Sequence, residues 1–382
     1  MPTESPPHPA AVQTAGESPV TPTVPSSPAP PPTGPPETHS PVGAADFHEG
    51  HDDEDEVANG GAEAVRLSTP YTAAWPWYGL LFASCLAVAA ASLGGNAARV
   101  ALERRVLSHP FFAAYDYIMP NNIGCFVMGL MTAALPPEAS LPLVYRALCV
   151  GFCGSFTTFS TWIVQAMTQR TAAAVVEHLL IGGTMPVVFL LWGRDGGRAL
   201  RWCGAWALGH RLTAWESCNA LLRAVDLMSA ALLMLAAVLA PVLVQVHITS
   251  GRIRTIFTDD VRMVVLAPAG AVPRYLLSVY LNKRAGVAQF PLGTLAANLL
   301  GVLLAIVLYN MELVHPSNAW YVMVQQGICG ALSTVSSLVN ELVGFYGGGR
   351  APFAYLYALV SVGVGIFIAG VGRPQIYGRS GA

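Results

Sequence analysis

From Trp77 to about residue 372, apolar stretches of about 18 to 25 residues recur, and no other property of this chain restricts its fold so tightly. A helix rises 1.5 Å per residue, so each stretch can cross a hydrocarbon core about 30 Å thick. Nine such stretches are recognisable, over about 77–103, 116–135, 143–168, 173–193, 225–247, 262–282, 290–311, 319–345 and 352–372. All are expected to be helices, because an isolated strand cannot pair its backbone in lipid. The 53% hydrophobic and 11% charged content agrees with a membrane solvent. Twenty basic residues nearly balance twenty-two acidic ones, which sets aside nucleic acid as a partner.

Residues 1–74 differ: they are rich in Pro, Ser, Thr and Gly, carry an acidic run from Asp52 to Glu56, and have no apolar periodicity. This segment is expected to be a disordered, solvated tether. It lacks the basic and apolar regions of a cleavable signal, so the first span is expected to target the chain. The seven cysteines mostly sit in apolar runs without CxxC pairs or neighbouring histidines and read as small core residues.

The chain repeats itself at a spacing of about 177 residues. Gly95 to Arg99 matches Gly270 to Arg274, Asn121-x-x-Gly124 matches Asn298-x-x-Gly301, and Gly151-Phe-Cys-Gly154 matches Gly327-Ile-Cys-Gly330. The fourth and ninth stretches both close on Gly-Arg, at Gly193-Arg194 and Gly372-Arg373. The layout is a tail (1–74), a four-helix repeat (75–195), a linker with one connecting span (196–250) and a second four-helix repeat (251–375). The connecting span makes the second repeat enter the membrane upside down, giving an all-α protein of two inverted repeats and nine spans. Basic residues divide almost evenly between the two sides, so charge does not fix orientation.

One string stands out: Gly151-Phe152-Cys153-Gly154-Ser155-Phe156-Thr157-Thr158-Phe159-Ser160-Thr161-Trp162, in the third span. Its glycines and hydroxyls make a weak helix at membrane depth. It is either a break lining protein or water, or a small-residue packing face with hydroxyls bonded to preceding carbonyls.

This string resembles the third-helix signature of the CrcB-type fluoride channels, called fluoride exporters in eukaryotes. Gly270-Ala-Val-Pro-Arg274-Tyr275 resembles that family's first-helix motif, Asn121-x-x-Gly124-Cys-Phe-x-x-Gly129 and Asn298-x-x-Gly301 its second, and Tyr357-x-x-x-Ser361 its fourth. The likeness covers about 75 to 372. It implies two units joined by an extra span, working as a monomer in a multi-pass membrane protein, expected in the plasma membrane, that exports fluoride passively. It further implies a fluoride path lined by Asn121, Thr157, Thr158, Phe159, Ser160, Thr161, Trp162, Asn298, Tyr357 and Ser361. A structural sodium ion held by backbone carbonyls of Gly154, Thr157, Gly330 and Ser333 is implied too. These donors suit fluoride chemically: amide and hydroxyl groups replace hydration, and an aromatic edge is positive.

Departures from the signature sort by half. The first half keeps Phe159 but has Trp162, His178 and Gly182. The second keeps Tyr357 and Ser361 but reads Val335 and Leu338 where aromatics are expected. One working path from complementary parts of both halves, beside a degenerate one, is therefore expected. Arg99 and Arg274, read as lying near helix ends, either pair with carbonyls or attract anions in a vestibule, and both roles can coexist. Glu177 and Glu341 are expected to cap helices or form ion pairs, and His178 to pack as a polar residue. A proton-coupled exporter of small molecules is the alternative function. It would call for a carboxylate in mid-span, and none is evident; no enzyme motif is present either.

Overall fold

The computed structural model describes residues 77–208, 223–239, 256–282 and 290–372, apart from 107, 136, 137, 139, 140, 233, 237 and 238. The expectations for the N-terminal tail and for most of the linker lie outside these residues.

All regular structure among the described residues is helical. The first half contains α1 (Trp77–Val106), α2 (Ile118–Ala134), α3 (Pro142–Tyr145), α4 (Phe159–Met167) and α5 (Ala172–Leu208). The second contains α6 (Ile256–Leu281), α7 (Leu292–Val314), α8 (Trp320–Val324), α9 (Val335–Gly347) and α10 (Ala351–Gly372). Helix α3 widens into π-helical turns over Arg146–Cys153 and closes with one α turn, Gly154–Phe156. Helix α8 does the same over Gln325–Cys329 and Gly330–Leu332. A π-helical stretch at the same place in both halves, just before a break, is a feature the residue pattern did not announce.

Seven helical stretches are long and apolar enough to cross a bilayer, counting α3 through α4 and α8 through α9 as one each. Helix α2 is apolar and shorter at 17 residues, near the lower limit for a span. The connecting stretch is helical where described. Its buried Asp226 accepts hydrogen bonds from the backbone N–H groups of Leu143 (3.2 Å) and Val144 (2.8 Å), at the start of α3.

One expected boundary differs. Helix α5 does not end at Gly193-Arg194 but runs on to Leu208. Gly193 lies against the backbone of Phe126 in α2, and Gly129 of α2 lies against that of Leu190 in α5, so a Cβ at either position would collide. The glycine marks close helix packing, which holds helices together where lipid gives no hydrophobic driving force.

The halves interlock. Helix α1 packs on α6, α4 lies against α7 and α10 of the second half, and α9 lies against α2 and α5 of the first. The largest apolar cluster joins Phe159, Trp162 and Ile163 to Val335, Leu338 and Tyr357. Broken helices that cross into the opposite half place both breaks side by side.

Candidate functional site

The string at residues 151–162 forms a break. Thr157 (φ −96°, ψ 153°) and Thr158 (φ −141°, ψ 121°) are extended, as are Ser333 (φ −96°, ψ 149°) and Thr334 (φ −148°, ψ 134°). Broken helices free backbone groups that lipid cannot satisfy, and side chains take them up. Asn121 Nδ2 donates to Thr158 O (3.1 Å) and its Oδ1 accepts from Thr158 N (2.8 Å). Asn298 clamps Thr334 in the same way, at 3.1 and 2.7 Å. Each asparagine so keeps one amide hydrogen beyond the clamp. Thr158 Oγ1 caps α4 by accepting from Thr161 N (3.3 Å), and Thr334 Oγ1 caps α9 by accepting from Ser337 N (3.4 Å).

These bonds have a consequence for the carbonyls. The N–H four residues beyond Gly154 is that of Thr158, held by Asn121; the one four beyond Thr157 is that of Thr161, held by Thr158 Oγ1. Gly330 and Ser333 lose their helical donors to Asn298 and Thr334 in the same way. Two carbonyls per break are thereby released from the helical pattern.

Hydroxyls stitch the breaks together across the halves. Thr157 Oγ1 accepts from Ser336 N (3.2 Å) and lies 3.0 Å from Thr334 Oγ1, while Ser333 Oγ accepts from Ser160 N (3.0 Å) and lies 2.8 Å from Ser160 Oγ. Each restarted helix is capped once by its own threonine and once by the opposite half. The contacts are reciprocal between the halves.

Arg99 and Arg274 are not at solvent-reaching ends but buried, at 0% and 2% exposure. Each crosses to the other half's break. Arg274 Nη2 donates to Val150 O (2.9 Å), and its guanidinium fills the space a Cβ on Gly154 would need. Arg99 Nη2 donates to Gln326 O, and its guanidinium fills the equivalent space at Gly330. The two glycines of the motif leave room for a cation, a signal the matched Gly and Arg positions carried but spacing alone could not pair.

Two side-chain sets flank the centre, and they differ. On the second-half side, the Phe159 ring edge faces Gly365 of α10, one turn beyond Ser361 and two beyond Tyr357. Glu341 accepts from Thr294 Oγ1 (2.6 Å) and Tyr357 Oη (2.7 Å). Ser361 Oγ is buried and approaches Tyr357 without closing a well-formed hydrogen bond. On the first-half side, Trp162 Nε1 donates to His178 O (2.9 Å), and the indole occupies the space beside Gly182. Tyr117 donates to the same carbonyl (3.1 Å) and meets His178 Nδ1 at 3.2 Å. Tyr115 donates to Glu177 and its ring lies over His178, centroids 4.3 Å apart. Both glutamates therefore accept from a tyrosine, where helix capping or ion pairing was expected. Thr294 was not singled out from the sequence, since a lone threonine in an apolar helix carries no signal.

The chain is a multi-pass integral membrane protein. The family model described as CrcB-like protein, Camphor Resistance (CrcB), matches residues 86–193 and again 261–373, more than half of the chain. The chain belongs to the CrcB-like family. It is 28% identical over 279 residues to fluoride export protein 1 of Candida albicans, covering 64% of this chain and 67% of that protein. It is 27% identical to fluoride export protein 1 of Neurospora crassa, covering 72% of this chain and 63% of that one. A bacterial relative matches a single repeat: fluoride-specific ion channel FluC of Phocaeicola vulgatus, 37% identical over 98 residues, 25% of this chain and 80% of that one. No solved structure matches.

Proposed function

We propose that this chain is a fluoride channel that lets F⁻ leave the cytosol passively. The carrying observation is the alignment of Phe159 from one half with Ser361 and Tyr357 on α10 of the other. Fluoride gives up a tightly held hydration shell, so a path must offer hydrogen-bond donors and a positive ring edge without a cation that traps the ion. The remaining amide hydrogen of Asn298, the hydroxyl of Ser361 and the edge of Phe159 meet that need, while Tyr357 donates its own hydroxyl hydrogen to Glu341. The names carried by the fungal and bacterial relatives point to the same ion.

The path runs through the second-half side. On the first-half side Val335 stands in the place of Phe159, and Trp162 fills the room beside Gly182. The repeats are inverted and the connecting helix is a ninth span; reciprocal contacts between the halves support a two-fold arrangement. The pore is complete within one chain, and the plasma membrane is its place of action. A sodium ion fits the carbonyls of Gly154, Thr157, Gly330 and Ser333, because carbonyl oxygens suit a hard cation and these four have lost their helical donors. Such an ion contributes charge that binds the two breaks together. Replacing sodium by N-methylglucamine is expected to lower the Tm of the purified protein; an unchanged Tm removes the ion from the proposal.

The test of function is reconstitution in liposomes with fluoride and chloride electrodes and an imposed membrane potential. Fluoride efflux without matching chloride efflux is expected. Equal loss of both ions, or of neither, ends the reading.

A further inference from the structure

The two buried arginines occupy equivalent places but not equivalent fields. Arg99 donates to Asn96 Oδ1 and to Gln326 Oε1 (3.2 Å), and two carboxylates, Glu103 one turn along α1 and Asp116 before α2, lie within electrostatic reach. The matched positions around Arg274 have lost every one of these groups. Ala271 stands for Asn96, Val150 for Gln326, Ser278 for Glu103 and Gly293 for Asp116. Arg274 bonds only neutral backbone carbonyls, Ala331 O at 2.9 Å and Val150 O at 2.9 Å, and among the described residues no carboxylate approaches it.

A guanidinium buried in a membrane protein without a counter-charge is costly, and such groups mark ion pathways. Here it lies against Gly154, within one turn of the first break and five residues before Phe159. At an effective dielectric of ~20, a unit charge ~10 Å away changes the occupancy of an anion roughly fifteenfold.

We infer that Arg274 is a positioning residue for the anion. Its positive charge, which no carboxylate among the described residues approaches, draws the anion to the Phe159 path, while Arg99 lies among acidic and amide groups and serves packing. This rests on the fluoride reading above and adds which of two matched arginines sets the field.

The experiment places a carboxylate where α1 already has one. Ser278→Glu puts it one turn from Arg274, and Ser278→Gln has the same shape without charge. Fluoride efflux from liposomes is compared between folded variants, judged by size exclusion. Ser278→Glu is expected to be about tenfold slower than Ser278→Gln, at the low end of electrostatic steering effects. Equal rates overturn the assignment. Arg274→Lys against Arg274→Gln gives a second reading: retention of most efflux by lysine alone supports the charge, whereas equal loss in both shows that the guanidinium hydrogen bonds matter instead. If Ser278→Glu does not fold, this pair decides. Wild-type protein in the same liposomes separates the failures. No fluoride efflux there defeats the channel reading, while normal wild-type efflux with matched Ser278 variants defeats only this inference.

Discussion

The two flanks of the central break grew from one repeat and now differ in what fills them. The second-half flank sets the Phe159 ring edge against Gly365 of α10, the helix that also carries Ser361 and Tyr357, and ties Tyr357 and Thr294 to Glu341. The first-half flank holds Val335, Trp162, His178 and Gly182, and the indole both packs against Gly182 and ties down the His178 carbonyl. The backbone machinery around the break is, by contrast, the same in both halves, down to the asparagine clamps. Duplicated structure is retained where backbone groups need partners, and the side chains diverge on the flanks, where no freed backbone group depends on them.

The largest effect expected from testing this comparison lies in the shared part. Asn121→Ala or Asn298→Ala leaves a buried N–H and C=O unpaired, at about 1–3 kcal/mol each. Both variants should lower the Tm in detergent by similar amounts; a large loss in one half alone would mean that the breaks are not equivalent supports. Next comes the contact between Trp162 and Gly182. Gly182→Ala forces the Cβ against Trp162 and should destabilise by about 1–3 kcal/mol, and adding Trp162→Phe should recover most of it. A double-mutant cycle without coupling would separate the two residues.

The flux comparison follows. Phe159→Ile should slow fluoride efflux about tenfold, equivalent to about 1.4 kcal/mol at the barrier, while Val335→Phe should leave it within about twofold. Equal effects would erase the distinction between the flanks. The smallest effect belongs to Ser361→Ala, which removes a hydroxyl that closes no firm hydrogen bond. Stability should change by less than about 0.5 kcal/mol, with efflux reduced about threefold, so an unchanged rate would take Ser361 out of the path.

Much of this was legible in the residues. Apolar length fixed where the helices run, since lipid accepts few alternatives, and paired motifs at a constant spacing revealed two halves. The Gly-rich, hydroxyl-rich string located the break. Gly193 misled as a helix end because glycine serves both termination and close packing, and only the neighbouring α2 backbone distinguishes them. Asn121 and Asn298 read as path donors, yet half of their hydrogen-bonding capacity goes to the backbone of the break.

What the sequence determined by itself, then, was a membrane-spanning, duplicated helical chain with two weak points, because hydrophobic length and repetition are properties of each segment alone. Tertiary structure decided the rest: that Arg99 and Arg274 cross to the opposite break, that Thr157 and Ser333 cap each other's partner helices, and that Trp162 packs against Gly182 and donates to the His178 carbonyl. Apart from those of Trp162, which join neighbouring helices of one half, these are contacts between the two halves, and which of several hydroxyls or glycines meets which cation depends on how the crossed helices pack.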